Sequence, residues 1–193
     1  MKIKKLISAL VLGSMLVGLS GCNITDFSAE NLLRPPKAVG DEAEIEQLIA
    51  KTADSGYTLK YPKNGKFRSA IIMTDLDGND SNEAVAFFRN SAETSSVHML
   101  VMYSKDNSWK IASDNIFETT DIDSVDFADL TGNGKAEIIV NSTTYTPNVG
   151  KLSCYSYSEG KTNEVGSGQS CSSFVTGDFD NDGTSEIMSL VLY

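Results

Sequence analysis

Hydrophobic and polar positions change rhythm twice along this chain. Residues 6–19 carry no charge and follow Met1-Lys2-Ile3-Lys4-Lys5. A basic start, a short apolar stretch and small residues at its end predict an export signal over 1–21, too short for a comfortable membrane span. Residues 22–40 lack apolar periodicity and contain Arg34-Pro35-Pro36-Lys37. They predict an extended tether able to reach roughly 60 Å. At Asp41 the spacing becomes helical: Ile45, Leu48 and Ile49 share a face and acids fill the first turn. A short amphipathic helix is expected within 41–55, with Asp41 as N-cap and its end near Ala53, before Ser55-Gly56.

Over 56–193 short apolar runs are broken by Gly, Asn and Asp, the rhythm of strands and turns. One segment occurs three times: Asp75 to Glu83 reads DLDGNDSNE, Asp129 to Glu137 reads DLTGNGKAE, and Asp178 to Glu186 reads DFDNDGTSE. Each lies between two apolar runs. Strands are expected at about Ser69–Leu76, Glu83–Phe88, Val97–Tyr103 and Trp109–Asp114. The second unit gives Ser124–Leu130, Glu137–Ser142, Lys151–Tyr157 and a poor run near Glu164. The third gives Ser173–Phe179 and Glu186–Tyr193. A period of about 50 residues with several strands per unit is the signature of propeller blades. The expected fold is therefore all-β, with β-propeller-like blades of four antiparallel strands after one short helix. About two and a half blades are present, so a truncated propeller is expected, because closure needs four or more.

Composition narrows the chemistry. The 193 residues are 40% hydrophobic and 22% charged, ordinary globular material. With 16 basic and 26 acidic residues the net charge is −10. Such a chain lacks the basic footprint of a nucleic-acid binder. Removing 1–21 removes three lysines and no acid, leaving 13 basic against 26 acidic residues, or −13. One histidine and three cysteines exclude most His-rich metal centres and a dense disulfide framework.

The repeated loops carry a legible ligand pattern. Oxygen-bearing side chains recur at positions 1, 3, 5 and 9: Asp75, Asp77, Asn79 and Glu83; Asp129, Thr131, Asn133 and Glu137; Asp178, Asp180, Asp182 and Glu186. Position 7, at Ser81, Lys135 and Thr184, offers a backbone carbonyl. A hard cation taking six to eight oxygens suits such a curled loop, which points to Ca2+ in two or three sites. Mg2+ ranks second, since it demands a stricter octahedron, and zinc would want nitrogen or sulfur. Position 6 is Gly134 and Gly183 in two copies and Asp80 in the first, residues that tolerate a left-handed turn. The second loop, with two carboxylates and Lys135 nearby, is expected to bind most weakly. An EF-hand or dockerin loop would need a ligand at position 12, where Ala86, Val140 and Ser189 stand.

These segments resemble the FG-GAP or VCBS-type repeats of integrin-α-like propellers, over roughly residues 66–193. The literal Phe-Gly and Gly-Ala-Pro signatures are absent. The resemblance implies calcium loops joining the first two strands of each blade. Leu19-Ser20-Gly21-Cys22 likewise resembles the bacterial lipobox, which implies a lipidated Cys22 as mature N-terminus and an anchor in the bilayer, the domain standing on the extracytoplasmic face. The whole arrangement resembles repeat-bearing lipoproteins of Gram-positive bacteria.

Other residues invite roles. His98 lies in a strand-like run, on the face opposite Met99, Val101 and Tyr103, with no partner evident in sequence. Trp109 and Tyr103 flank an expected turn at Lys105-Asp106-Asn107 and are expected between blades. Cys154 and Cys171 form a possible disulfide in an exported protein, the other possibility being two separate thiols. The Ser/Thr/Tyr-rich stretch 142–147 suits solvated strand edges or glycan contacts. No phosphate loop, zinc motif or nucleophile elbow is present. The leading expectation is a non-enzymatic ligand-binding, adhesion or scaffolding lipoprotein with an unknown protein or glycan partner and no nucleic acid. The alternatives are a polysaccharide-acting enzyme with catalytic residues in missing blades, and an envelope assembly factor using an edge strand.

Overall fold

The structure, a computed structural model, describes residues 40–192 apart from 55, 94 and 147. The expected signal, Cys22 and nearly all of the tether lie outside the described residues. Within them the chain folds as one helix and eleven strands, all paired antiparallel. The all-β expectation with one leading helix holds at that level.

Helix α1 (Asp41–Ala53) begins one residue earlier than expected: Gly40, at φ 64°, is the N-cap, and Asp41 opens the first turn with Glu42 and Glu44. The carboxylates still favour the positive end of the helix. Strands β1 (Tyr57–Leu59) and β2 (Ile71–Thr74) both pair with β3 (Glu83–Asn90), β2 along its first half and β1 along its second. Strands β4 (Val97–Lys105) and β5 (Ser108–Phe117) complete this first sheet. Asp106 and Asn107 turn β4 into β5 with φ of 56° and 57°, a geometry that Asn and Asp tolerate and that matches strand twist. The second sheet is a meander of β6 (Ile122–Ala128), β7 (Glu137–Thr143), β8 (Gly150–Ser158) and β9 (Lys161–Cys171). The third is the pair β10 (Ser173–Gly177) and β11 (Glu186–Leu190).

Alternation along the strands explains how the sheets stack. Val85, Phe87, Met99 and Val101 of the first sheet pack against Ile138, Val140, Tyr155 and Tyr157 of the second. Residues of opposite parity on the first sheet, Ala84, Ala86, Phe88, Leu100 and Met102, take Ile45, Ile49 and Ala53 of α1. On the far side of the second sheet, Ile139, Leu152 and Cys171 meet Phe174 and Ile187 of the third. The order is helix, sheet, sheet, sheet. Strands β3 and β7, covered on both faces, read as continuous apolar runs rather than alternations.

Three expectations change. Trp109 does not lie between sheets but beneath α1, where its backbone N–H donates to Glu44 at 3.1 Å; Tyr103 does pack at the sheet interface. The possible disulfide is not formed: Cys154 and Cys171 are free thiols. Register explains this, since Cys171 sits opposite Gly150 and Cys154 opposite Gly166. Four residues along β8 amount to about 13 Å, far beyond disulfide reach. Finally, the poor run near Glu164 is an eleven-residue strand, β9, almost wholly exposed along the sheet edge.

The segment between β1 and β2 is fastened to the second sheet through Asp121, which meets Lys60 Nζ at 2.5 Å and Lys63 Nζ at 3.1 Å. Partial burial raises the Asp121 carboxyl, and the two ammonium groups outweigh it and hold it below its ordinary range. A depressed carboxyl stabilises the fold above the unfolded-state value near pH 4 and loses that contribution as pH falls through the folded value. Asp121→Asn should therefore lower the melting temperature at pH 7, and the gap to the parent should close below about pH 4. Ile49→Ala, at a site with no exposure, should cost about 2–5 kcal/mol in denaturant unfolding.

Candidate metal centre

All three acidic loops lie at the same end of the stack: they join β2 to β3, β6 to β7 and β10 to β11. Their hydrogen bonds repeat as their sequences do. The position 1 carboxylate gathers the backbone N–H groups of the loop. Asp75 accepts from Gly78, Asn79 and Asp80 at 2.8–3.3 Å, Asp129 from Thr131, Gly132, Asn133 and Gly134, and Asp178 from Asp182 and Gly183. The position 5 oxygen accepts the N–H of position 7: Ser81 donates to Asn79, Lys135 to Asn133 and Thr184 to Asp182, at 2.7–2.8 Å. The position 9 glutamate closes the turn. Glu83, Glu137 and Glu186 accept from Leu76, Leu130 and Phe179 at 2.8–2.9 Å.

Such curling requires left-handed residues. Position 6 has positive φ in every loop, 64° at Asp80, 78° at Gly134 and 92° at Gly183, as expected. Position 4 does too, at Gly78, Gly132 and Asn181, a requirement that the sequence reading missed although Gly-Gly-Asn was its visible trace.

The loops concentrate negative charge. Asp178, Asp180, Asp182 and Glu186 each bring a carboxylate oxygen within 4.8 Å of the others, and so do Asp75, Asp77 and Glu83. Oxygens that close can share one cation at 2.3–2.6 Å. In the second loop only Asp129 and Glu137 are acids, with Thr131 and Asn133 between them. Desolvation raises the carboxyls of Asp75 and Asp129, but the converging N–H groups outweigh it and hold both below the ordinary range. Glu83 goes the other way. Only 4% exposed, it is raised by burial and by the charges of Asp77 and Asp75, which outweigh the N–H of Leu76 and its own backbone N–H. Asp77 Oδ1 is buried without a hydrogen-bond partner among the described residues. An uncompensated acceptor beside a desolvated carboxylate is the electrostatic arrangement that a hard cation relieves, so these clusters could hold a metal ion.

Neighbouring loops touch. Ala136 N–H donates to the Leu76 carbonyl at 3.0 Å and Ser185 N–H to the Asp129 carbonyl at 2.9 Å. Gly78 lies so close to the second loop that a Cβ there would stand 2.5 Å from the Gly134 carbonyl oxygen.

His98 does have partners that the sequence hid. Its Nδ1 lies 2.9 Å and 3.0 Å from the two oxygens of Asp114, Nε2 is 3.6 Å from Glu93, and the ring stacks on Phe88 at 4.8 Å. Nε2 has no hydrogen-bond partner among the described residues, and Ser96 Oγ donates to Glu93 rather than to the ring. The group binds β4 to β5 and to the turn before β4.

Gly78→Ala and Gly183→Ala separate loop strain from loop contact. Both sites have positive φ, but nothing lies within 4 Å of a Cβ at 183. Gly183→Ala should cost about 1–2 kcal/mol from strain alone, and Gly78→Ala clearly more in the same denaturant titration. No family model, no curated protein and no solved structure matches this chain.

Proposed function

We propose that the three sheets are successive blades of a propeller of FG-GAP or VCBS type, stapled by calcium, in a lipoprotein anchored through Cys22 on the extracytoplasmic face. The observation that carries this reading is the hydrogen-bond scaffold the three loops share, together with the clustering of carboxylates from positions 1, 3 and 9 in the first loop and 1, 3, 5 and 9 in the third. Asp75, Asp77, Asn79 and Glu83 would hold one ion, and Asp178, Asp180, Asp182 and Glu186 another. Asp129, Thr131, Asn133 and Glu137 would form the third and weakest site. Calcium would supply positive charge where carboxylates crowd, and binding to the folded state alone stabilises that state by mass action.

The same reading makes the protein a non-enzymatic binding or scaffolding module. The carboxylates crowded closely enough for acid–base work belong to the loops, and the His98 group is a structural clamp. Blades supported by rigid loops offer a surface on which a ligand can rest at little ordering cost. That step rests on fold-level analogy.

Calorimetric calcium titration of the soluble chain beginning at Asn23 tests the reading. Two or three sites and a melting temperature raised by calcium and lowered by chelator are expected, with Asp77→Asn and Asp180→Asn each abolishing one tight site. Absence of heat and of any melting shift would leave the loops as plain turns. Cys22→Ala in a bacterial host should abolish fatty-acid labelling and release the protein from the membrane fraction.

A further inference from the structure

At the end of the sheets opposite the acidic loops lies a cleft of about 430 Å³. That volume is within the range of small-ligand sites, roughly 300–1,000 Å³. Its position follows from connectivity: the turn from β7 to β8 and the entry to β10 lie at the far ends of strands whose other ends carry the loops. We propose that this cleft binds a neutral saccharide. The proposal deepens the binding-module reading and rests on it, though not on its calcium sites.

The chemistry of the lining favours that class. One wall is Lys63 and Asn64, whose backbone N–H groups donate to Ile122 and Asp123 of β6. The floor is Asn141, Thr143 and Gly150, and the opposite wall comes from Thr146, Asn148 and Ser172. Hydroxyls and amides both donate and accept, which matches the hydroxyls of a sugar. The one cation on the lining is already engaged. Lys63 shares Asp121 with Lys60, and Asp123, the one acid on the lining, accepts from the neutral donors Asn64 Nδ2 at 2.8 Å, Ser124 Oγ at 3.0 Å and Asn141 Nδ2 at 3.3 Å. Among the described residues the lining therefore has no free cation to hold a phosphate, sulfate or uronate, and a chain of net charge −10 repels anions.

Part of the site is braced and part is spare. Thr144 Oγ1 ties the β7–β8 turn to the carbonyls of Thr146 and Val149, and Ser172 Oγ accepts the N–H of Leu192 at 2.8 Å. By contrast the side chains of Thr146 and Asn148 make no hydrogen bond among the described residues. Asn141, 1% exposed, has an Oδ1 with no hydrogen-bond partner among the described residues. It sits where any side chain at residue 150 would collide, at 2.3 Å. Tyr145, 91% exposed, lines a small hollow adjoining the cleft, which shares Thr143 and Thr144 with it. An aromatic ring held in water next to a polar cleft suits the C–H face of a pyranose and extends the site toward a second ring.

The test uses the mature chain in calorimetry with neutral oligosaccharides of glucose, mannose, galactose and N-acetylglucosamine, alongside uronate and sulfated oligosaccharides and a panel of short peptides. Binding of at least one neutral oligosaccharide is expected. Tyr145→Ala and Asn148→Gly should each weaken it tenfold or more without moving the melting temperature. Tyr145 is free of packing, and glycine keeps the φ of 61° at residue 148. No neutral binding at millimolar concentration, binding indifferent to both variants, or binding only of anionic sugars or peptides would overturn the proposal. Calcium titration of the same sample keeps the two readings apart. Calcium uptake without sugar binding sinks the cleft alone, whereas sugar binding that persists without calcium uptake sinks the metal loops alone.

Discussion

The stack depends on a carboxylate that closes each acidic loop, in the first two from inside the fold. Glu83 and Glu137 are 4% and 2% exposed, yet each has to hold the N–H of the second loop residue to turn one strand into the next. Burying a carboxylate on one backbone hydrogen bond is costly, and the raised proton affinity of Glu83 is the sign of that cost. The first loop residue works in the opposite sense, offering its charge to several N–H groups at once. A loop built this way is firm in its backbone and unbalanced in its charge. That imbalance, rather than the count of acids, is why the loops suit a hard cation.

The same turn also aligns the sheets. Because Ala136 reaches the Leu76 carbonyl and Ser185 reaches the Asp129 carbonyl, each loop sets the height of the next. Three sheets that start level can then interdigitate along their lengths. Burial declines along the row: β3 and β7 are covered on both faces, whereas Val175, Met188 and Leu190 on the outer face of β10 and β11 are more than half exposed. The loop chemistry is shared, so this gradient comes from what packs on each sheet and not from the loops.

Much of this was legible because the loops repeat. Asp, Asn and Gly at fixed offsets announced both the turns and the clusters of side-chain oxygens, and Ile45, Leu48 and Ile49 announced the covered face of α1. What escaped had no periodic trace. Strand β9, KTNEVGSGQSC, is polar because it lies at a sheet edge with little above it, so alternation could not mark it. Strand β1 is three residues long and borrows the half of β3 that β2 leaves free. The partner of His98 is sixteen residues away and meets it only through the β4–β5 register, which a bulge at Val101 and Met102 shifts. The cysteines fail to meet for a related reason. Sequence distance permits a bridge, and strand pairing sets them four residues apart.

The two ends of the stack show why a repeat reveals one kind of site and conceals another. At the loop end each sheet supplies a nine-residue loop with oxygen-bearing side chains at the same positions, so candidate ligands align with the period. At the cleft end the lining comes from unlike connections: the segment between β1 and β2, the β7–β8 turn, and residues on either side of the third sheet. None of these is repeated. A backbone scaffold that must be rigid tolerates little variation, because its geometry depends on left-handed residues and buried carboxylates. The connections at the other end carry no such demand, so their side chains are free to be chosen by a ligand. Polar side chains there with no hydrogen-bond partner among the described residues, Thr146 and Asn148 among them, are what such freedom leaves visible.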